Sequence, residues 1–117
     1  IELGGNDALR GYSIKLIKSN LEKMIALIKQ NKSKVLLMQI RIPPNYGQKY
    51  MLAFEKIYKD LALSEEVYLI PFMLEEIGIN SDLMQPDGIH PNKKAQSLIA
   101  KDVKKNIDKF LLINQSN

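Results

Sequence analysis

The apolar residues of this chain change period again and again, and each change marks a new element. Ile14, Ile17, Leu21, Met24, Ile25 and Ile28 fall at helical spacing, which predicts a helix with one buried stripe from about Ser13 to Gln30. Lys34 to Ile40 (KVLLMQI) is a near-continuous apolar run, the pattern of a strand covered on both faces. Tyr50, Met51, Phe54, Ile57, Tyr58 and Leu61 restore the helical period, so a second helix is expected from about Gln48 to Leu63. Val67 to Pro71 (VYLIP) reads as the next strand. Ala95, Leu98, Ile99, Val103, Ile107, Phe110 and Leu111 define a closing helix from about Asn92 to Leu112, with Asn92 as its cap.

Strands alternating with helices imply a parallel sheet with helices packed on its faces, an α/β architecture joined by right-handed crossovers. Ile1-Glu2-Leu3 would be the tail of a first strand. In such sheets a site forms at the carboxyl ends of the strands, in the loops leading to the helices. That rule selects Gly4 to Arg10, Arg41 to Gly47, and Phe72 to Pro91. In the second, Pro43 and Pro44 can neither continue a helix nor donate to a sheet ladder. The third carries Gly78, Pro86, Gly88 and Pro91 and reads as a long loop with at most a short helical turn.

At 117 residues the chain is long enough for one domain and too short for two. Its 45% hydrophobic and 26% charged residues are ordinary for a globular protein. The absence of cysteine excludes disulfides and thiolate zinc sites. No apolar run reaches the ~20 residues that span a bilayer, so no stable membrane anchor is expected. Ile1 opens the chain without a basic-then-apolar leader, so the expectation is a removed signal or a start inside a larger protein. Seventeen Lys plus Arg against thirteen Asp plus Glu leave a net charge of +4. The lysines are dispersed over helix faces without aromatic interleaving, which argues against the alternative of a nucleic-acid-binding domain.

Nearly all the residues with catalytic potential lie in the three loops. After a strand, Gly4 and Gly5 permit a tight turn and close approach of a ligand, and Asn6 could present an amide donor to a developing oxyanion. An Asx-turn in an ordinary loop is the alternative. His90 is the only histidine, so any proton shuttling near neutral pH falls on it. Gly88 lets the backbone turn so that Asp87 could reach one ring nitrogen and fix the tautomer. A plain Asp-Gly turn beside an incidental histidine, or a metal site from His90, Asp87 and Asp7, are the other readings, and no further His or Cys supports the metal.

ELGGND, RIPPNYG and LMQPDGIHPN, in that order, resemble motifs of the SGNH (GDSL-type) hydrolases, in particular the thioesterase I, lysophospholipase L1 and arylesterase group. The resemblance covers nearly the whole chain. It implies a three-layer α/β/α flavodoxin-like fold and hydrolysis of acyl esters or thioesters without a metal or organic cofactor. It also implies His90 as general base, Asp87 as its orienting acid and Asn6 as oxyanion donor. Gly5 and the loop residues Ile42, Pro43, Pro44, Asn45 and Tyr46 would contact the acyl substrate. Family membership implies a periplasmic or secreted location. The family's serine, in a Gly-Asp-Ser-Leu block after the first strand, has no counterpart here: Ser13, Ser19, Ser33, Ser64, Ser81, Ser97 and Ser116 sit in no such context. The chain is therefore expected to be the C-terminal portion, residues 1–117, of a single SGNH domain. An N-terminal segment would complete the site. A non-catalytic remnant or interaction module on the same scaffold is the competing reading.

Overall fold

The computed structural model describes residues 1–115; Ser116 lies outside the described residues. Two compact units follow one another along the chain, the first ending at Pro71 and the second beginning at Phe72.

In the first unit, strands β1 (Leu36–Met38) and β2 (Tyr68–Ile70) pair in parallel, with Leu36 opposite Tyr68, Leu37 opposite Leu69 and Met38 opposite Ile70. On the other edge of β1 the Ile1 nitrogen donates to the Leu36 carbonyl at 2.7 Å, and the Met38 N–H donates to the Ile1 carbonyl at 2.8 Å. Residue 1 thus straddles Leu37, the bonding pattern of a parallel neighbour, as expected for the tail of a preceding strand. The regular ladder is shorter than the apolar runs 34–40 and 67–71, because only residues with a partner across the sheet extend it. Burial along the first run alternates: Val35, Leu37 and Gln39 are buried while Leu36, Met38 and Ile40 are only partly so. The expectation of a strand covered on both faces therefore holds fully for one face.

That face is covered by two helices. Ser13 caps the first of them, its hydroxyl accepting from the Leu16 N–H at 3.2 Å, and the stripe Ile17, Leu21 and Ile25 is buried. With the short helix α1 (Gly5–Leu9) before it, this is α2 (Ile14–Gln30). Helix α3 (Gln48–Ser64) links β1 to β2 and buries Phe54, Ile57, Tyr58 and Leu61. Phe54 and Tyr58 meet edge to face, centroids 5.3 Å apart. These side chains, with Ala8, Val35, Leu37 and Ile42, form one core. The segment Gly4 to Arg10, expected as a loop, contains α1, because the Ala8 N–H bonds back to the Gly4 carbonyl at 3.0 Å and Asp7 favours the first turn. The Arg41 to Gly47 loop holds a single 3₁₀ turn at Pro44–Tyr46.

In the second unit, α4 (Glu75–Gly78) and a 3₁₀ turn at Ser81–Leu83 occupy the long loop. Met84 and Pro91 then form an antiparallel bridge that closes a hairpin. Asn92 caps a 3₁₀ turn, Lys93–Ala95, that leads into α5 (Gln96–Gln115). The closing helix thus begins as 3₁₀ and runs further than the sequence period indicates. Its stripe is only half covered: Ala95 is buried, whereas Leu98 and Leu111 stay 45% and 49% exposed. Among the described residues no helix is long and apolar enough to cross a membrane.

Candidate active site

Asp87, Gly88, Ile89 and His90 form the tip of the Met84–Pro91 hairpin, and the Gln85 N–H holds its arms together by donating to the His90 carbonyl at 2.8 Å. The tip can turn because Gly88 takes φ +67° while its N–H donates to the Gln85 carbonyl at 3.0 Å. Asp87 divides its two oxygens between backbone and ring. Oδ1 accepts from the N–H groups of Ile89 at 2.9 Å and of His90 at 3.0 Å, and Oδ2 lies 2.7 Å from His90 Nδ1. These bonds, the His90 backbone N–H first, then its side chain and the Ile89 N–H, pull the Asp87 carboxyl down to about 2. It is therefore a carboxylate at neutral pH, and a carboxylate can only accept. In the neutral imidazole the proton must then sit on Nδ1, leaving Nε2 with a lone pair on a ring that is 66% exposed. Such a nitrogen can take a proton from a hydroxyl and return it to a leaving group.

The hairpin also walls a cavity of about 480 Å³ with Gly78, Ile79 and Ser81. Met84, Gln85, Pro86 and Gly88 line it, and neither Asp87 nor His90 does, so the cavity lies against the hairpin backbone rather than the acid and the ring.

In the first unit, Asn6 lies exposed on α1. The helix can start where it does because Gly4 takes φ +104°, and a Cβ there would stand 2.9 Å from the Tyr58 hydroxyl. A Cβ on Gly5 would stand 3.4 Å from Ile40, so the turn lies against the end of the run that carries β1. Helix α3 ties this loop down on both sides of Asn6. Tyr58 donates its hydroxyl to the Leu3 carbonyl at 2.9 Å, and Tyr50 donates to the Tyr12 carbonyl at 2.6 Å. Burial, reinforced by the Asp7 charge, raises the Tyr58 phenol far above its ordinary range, so it stays a donor.

Sequence reasoning assigned both tyrosines to a helical stripe and missed this role. The available signal is that a buried tyrosine hydroxyl needs a partner. The expected substrate loop is split by the fold. Ile42 is 5% exposed and belongs to the core, Pro43 is half-buried, and Pro44, Asn45 and Tyr46 face outward. Arg41 braces the loop against α3, its Nε 3.5 Å from Glu55 Oε2. Among the described residues no group of three or more His, Cys, Asp or Glu could hold a metal ion.

Residues 1–98 match the profile of the GDSL-like Lipase/Acylhydrolase family. An arylesterase of Vibrio mimicus is 49% identical over 111 residues, 95% of this chain and 56% of that protein. Thioesterase 1/protease 1/lysophospholipase L1 of Escherichia coli K12 is 46% identical over 100 residues, 86% of this chain and 48% of that protein. The crystal structure of the psychrotrophic esterase EstA from Pseudoalteromonas sp., inhibited by monoethylphosphonate, superposes with a TM-score of 0.90 at 38% identity, covering 93% of this chain and 60% of that one. AlinE4, an SGNH-hydrolase family esterase, superposes with a TM-score of 0.69 at 37% identity, covering 93% of this chain and 58% of that one. The chain thus spans about half to three-fifths the length of these relatives.

Proposed function

Because this chain belongs to the GDSL-like lipase/acylhydrolase family and has the parallel α/β fold of SGNH esterases, we propose that residues 1–117 are the C-terminal portion of one catalytic domain hydrolysing acyl esters and thioesters. The observation that carries the reading is the 2.7 Å contact between Asp87 Oδ2 and His90 Nδ1, made by an ionised acid to a ring whose other nitrogen is open. A serine supplied by an N-terminal segment attacks the acyl carbon as His90 Nε2 takes its proton. The Asn6 amide donates to the oxyanion of the tetrahedral intermediate. The imidazolium, stabilised by Asp87, then protonates the departing alcohol or thiol. Water attacks the acyl-enzyme by the same route in reverse, with His90 again as base.

Pro43, Pro44, Asn45 and Tyr46 supply the wall along which the acyl chain lies, Gly5 allows its carbonyl end to come close to the backbone, and Ile42 anchors that wall in the core. Substrates of this class are suggested by the names of the relatives, an arylesterase and a thioesterase/lysophospholipase.

The 117-residue chain alone has no esterase activity on this reading. Taken without a preceding strand, the isolated chain would offer a sheet edge beside Ile1, so on this reading it is of marginal stability or self-associates. The test is hydrolysis of p-nitrophenyl esters and acyl-CoA by the chain joined to its N-terminal segment, with the isolated chain beside it. Turnover in the joined protein that drops by roughly 10³-fold or more in His90→Ala is the expected result. Unchanged turnover in His90→Ala sinks the assignment of the base. Fluorophosphonate-sensitive turnover by the isolated chain would locate the nucleophile among its own serines.

A further inference from the structure

Asp87 fixes the His90 ring relative to the hairpin tip, and a different residue fixes the tip relative to the rest of its unit. Asn92, two residues past His90 on the returning arm, spends both amide protons on the opposite arm: Nδ2 donates to the carbonyls of Asp82 at 2.8 Å and Met84 at 3.1 Å. Its backbone N–H donates to the Leu83 carbonyl at 2.8 Å, between those two. Its side-chain oxygen accepts from the Lys94 N–H at 2.8 Å and so caps the turn that leads into α5. One side chain therefore binds the 3₁₀ turn before the hairpin to the turn after it. Capping needs only the oxygen, and Asn, Asp and Ser cap almost equally well. The two donors are more than a cap requires.

We propose that Asn92 is a positioning residue for His90, its amide clasping the base of the Met84–Pro91 hairpin so that the free ring nitrogen is held at a fixed place. The inference rests on the reading of His90 as general base. A catalytic group displaced by about 1 Å costs on the order of 10²-fold, which sets the scale. The effect belongs in kcat, because Asn92 touches neither substrate nor reacting atoms.

Two substitutions separate clasp from cap. Asn92→Asp keeps size and capping oxygen but sets a second oxygen against two carbonyls, and Asn92→Ser keeps a cap but removes the amide with its two donors, leaving one shorter hydroxyl. In the chain joined to its N-terminal segment, both should lower kcat roughly 10- to 100-fold with KM within about threefold. The Asp87–His90 bond lies wholly within the tip, so ¹H–¹⁵N spectra of neutral His90 should still report the Nδ1–H tautomer. A cap alone predicts wild-type kcat in both variants, and that result overturns the clasp. Loss of the Nδ1–H tautomer overturns it too, because the damage would then lie within the dyad.

If both variants fail to fold, Gln85→Met decides. At an exposed position it removes only a parallel cross-arm bond, Gln85 Nε2 to the Pro91 carbonyl at 3.1 Å. A several-fold lower kcat supports the clasp and an unchanged kcat overturns it. His90→Ala is run beside them. Full turnover there removes the base and the clasp together, whereas an inactive His90→Ala beside fully active Asn92 variants removes the clasp alone.

Discussion

Replacing Asp87 by Asn tests the centre of the proposed chemistry with almost no change of shape. The new side chain can still accept the Ile89 and His90 backbone N–H bonds, made now at 2.9 and 3.0 Å, through its amide oxygen. Its NH₂ group then occupies the place of Oδ2, 2.7 Å from His90 Nδ1. Two N–H groups cannot face each other at that distance, so Nδ1 must become the acceptor and the ring proton moves to Nε2. A base that already carries its proton cannot take one from serine. The imidazolium also loses the carboxylate charge that stabilises it. For a Ser-His-Asp site this change costs about 10⁴-fold in kcat, or about 5 kcal/mol of barrier at 1.36 kcal/mol per decade. The assay is p-nitrophenyl ester hydrolysis by the chain joined to its N-terminal segment, with the His90 tautomer read from ¹⁵N shifts. Activity within tenfold of wild type would refute the orienting role. So would an inactive variant whose neutral ring still carries the proton on Nδ1.

Asn6→Ala should cost about 10²-fold in kcat with little change in KM, since its donor strengthens only toward the oxyanion; an effect mainly on KM would make Asn6 a ground-state binding residue. Tyr46→Ala should change the ratio of kcat/KM between long and short acyl esters, because an acyl chain gains about 0.8 kcal/mol per buried CH₂, and a common factor for both substrates would exclude the loop as the acyl wall. Tyr58→Phe removes the bond to the Leu3 carbonyl and should destabilise by about 1 kcal/mol, a fall of roughly 0.5–1 M in the urea midpoint. An unmoved midpoint would show that the loop before Asn6 does not depend on that phenol. Asp87 is held below its ordinary 3.8, at about 2, so its contribution to the hairpin is complete above 3.8 and is lost as pH falls through 2. Exchange protection of the Ile89 and His90 amides, compared with intrinsic exchange at each pH from 5 down to below 2, should therefore persist at pH 4 and be only about half lost near pH 2.

What the sequence determined by itself is what depends on near neighbours. The stripe Ile17, Leu21, Ile25 and the stripe Phe54, Ile57, Tyr58, Leu61 are helical because of their own spacing, and burial follows from it. Two such helices alternating with two apolar runs leave a parallel pairing as the economical arrangement, and the β1–β2 register is parallel. The Asp87–His90 contact was legible for the same reason, since two residues three positions apart with a glycine between them close into one turn.

Tertiary structure alone decided whatever joins distant residues. That Tyr58 holds the carbonyl of Leu3, 55 positions away, cannot be read from a stripe in which a tyrosine and a leucine serve equally well. Ile42 stands in a proline-rich loop by its neighbours and in the core by its packing. Gly4 to Arg10 looked like a loop because its glycines permit many backbones, and contact with α3 and Ile40 selects the one that starts a helix. Asn92 read as a cap because capping is a bond to the next residues, whereas its hold on Asp82 and Met84 exists only once the hairpin has brought the two arms together.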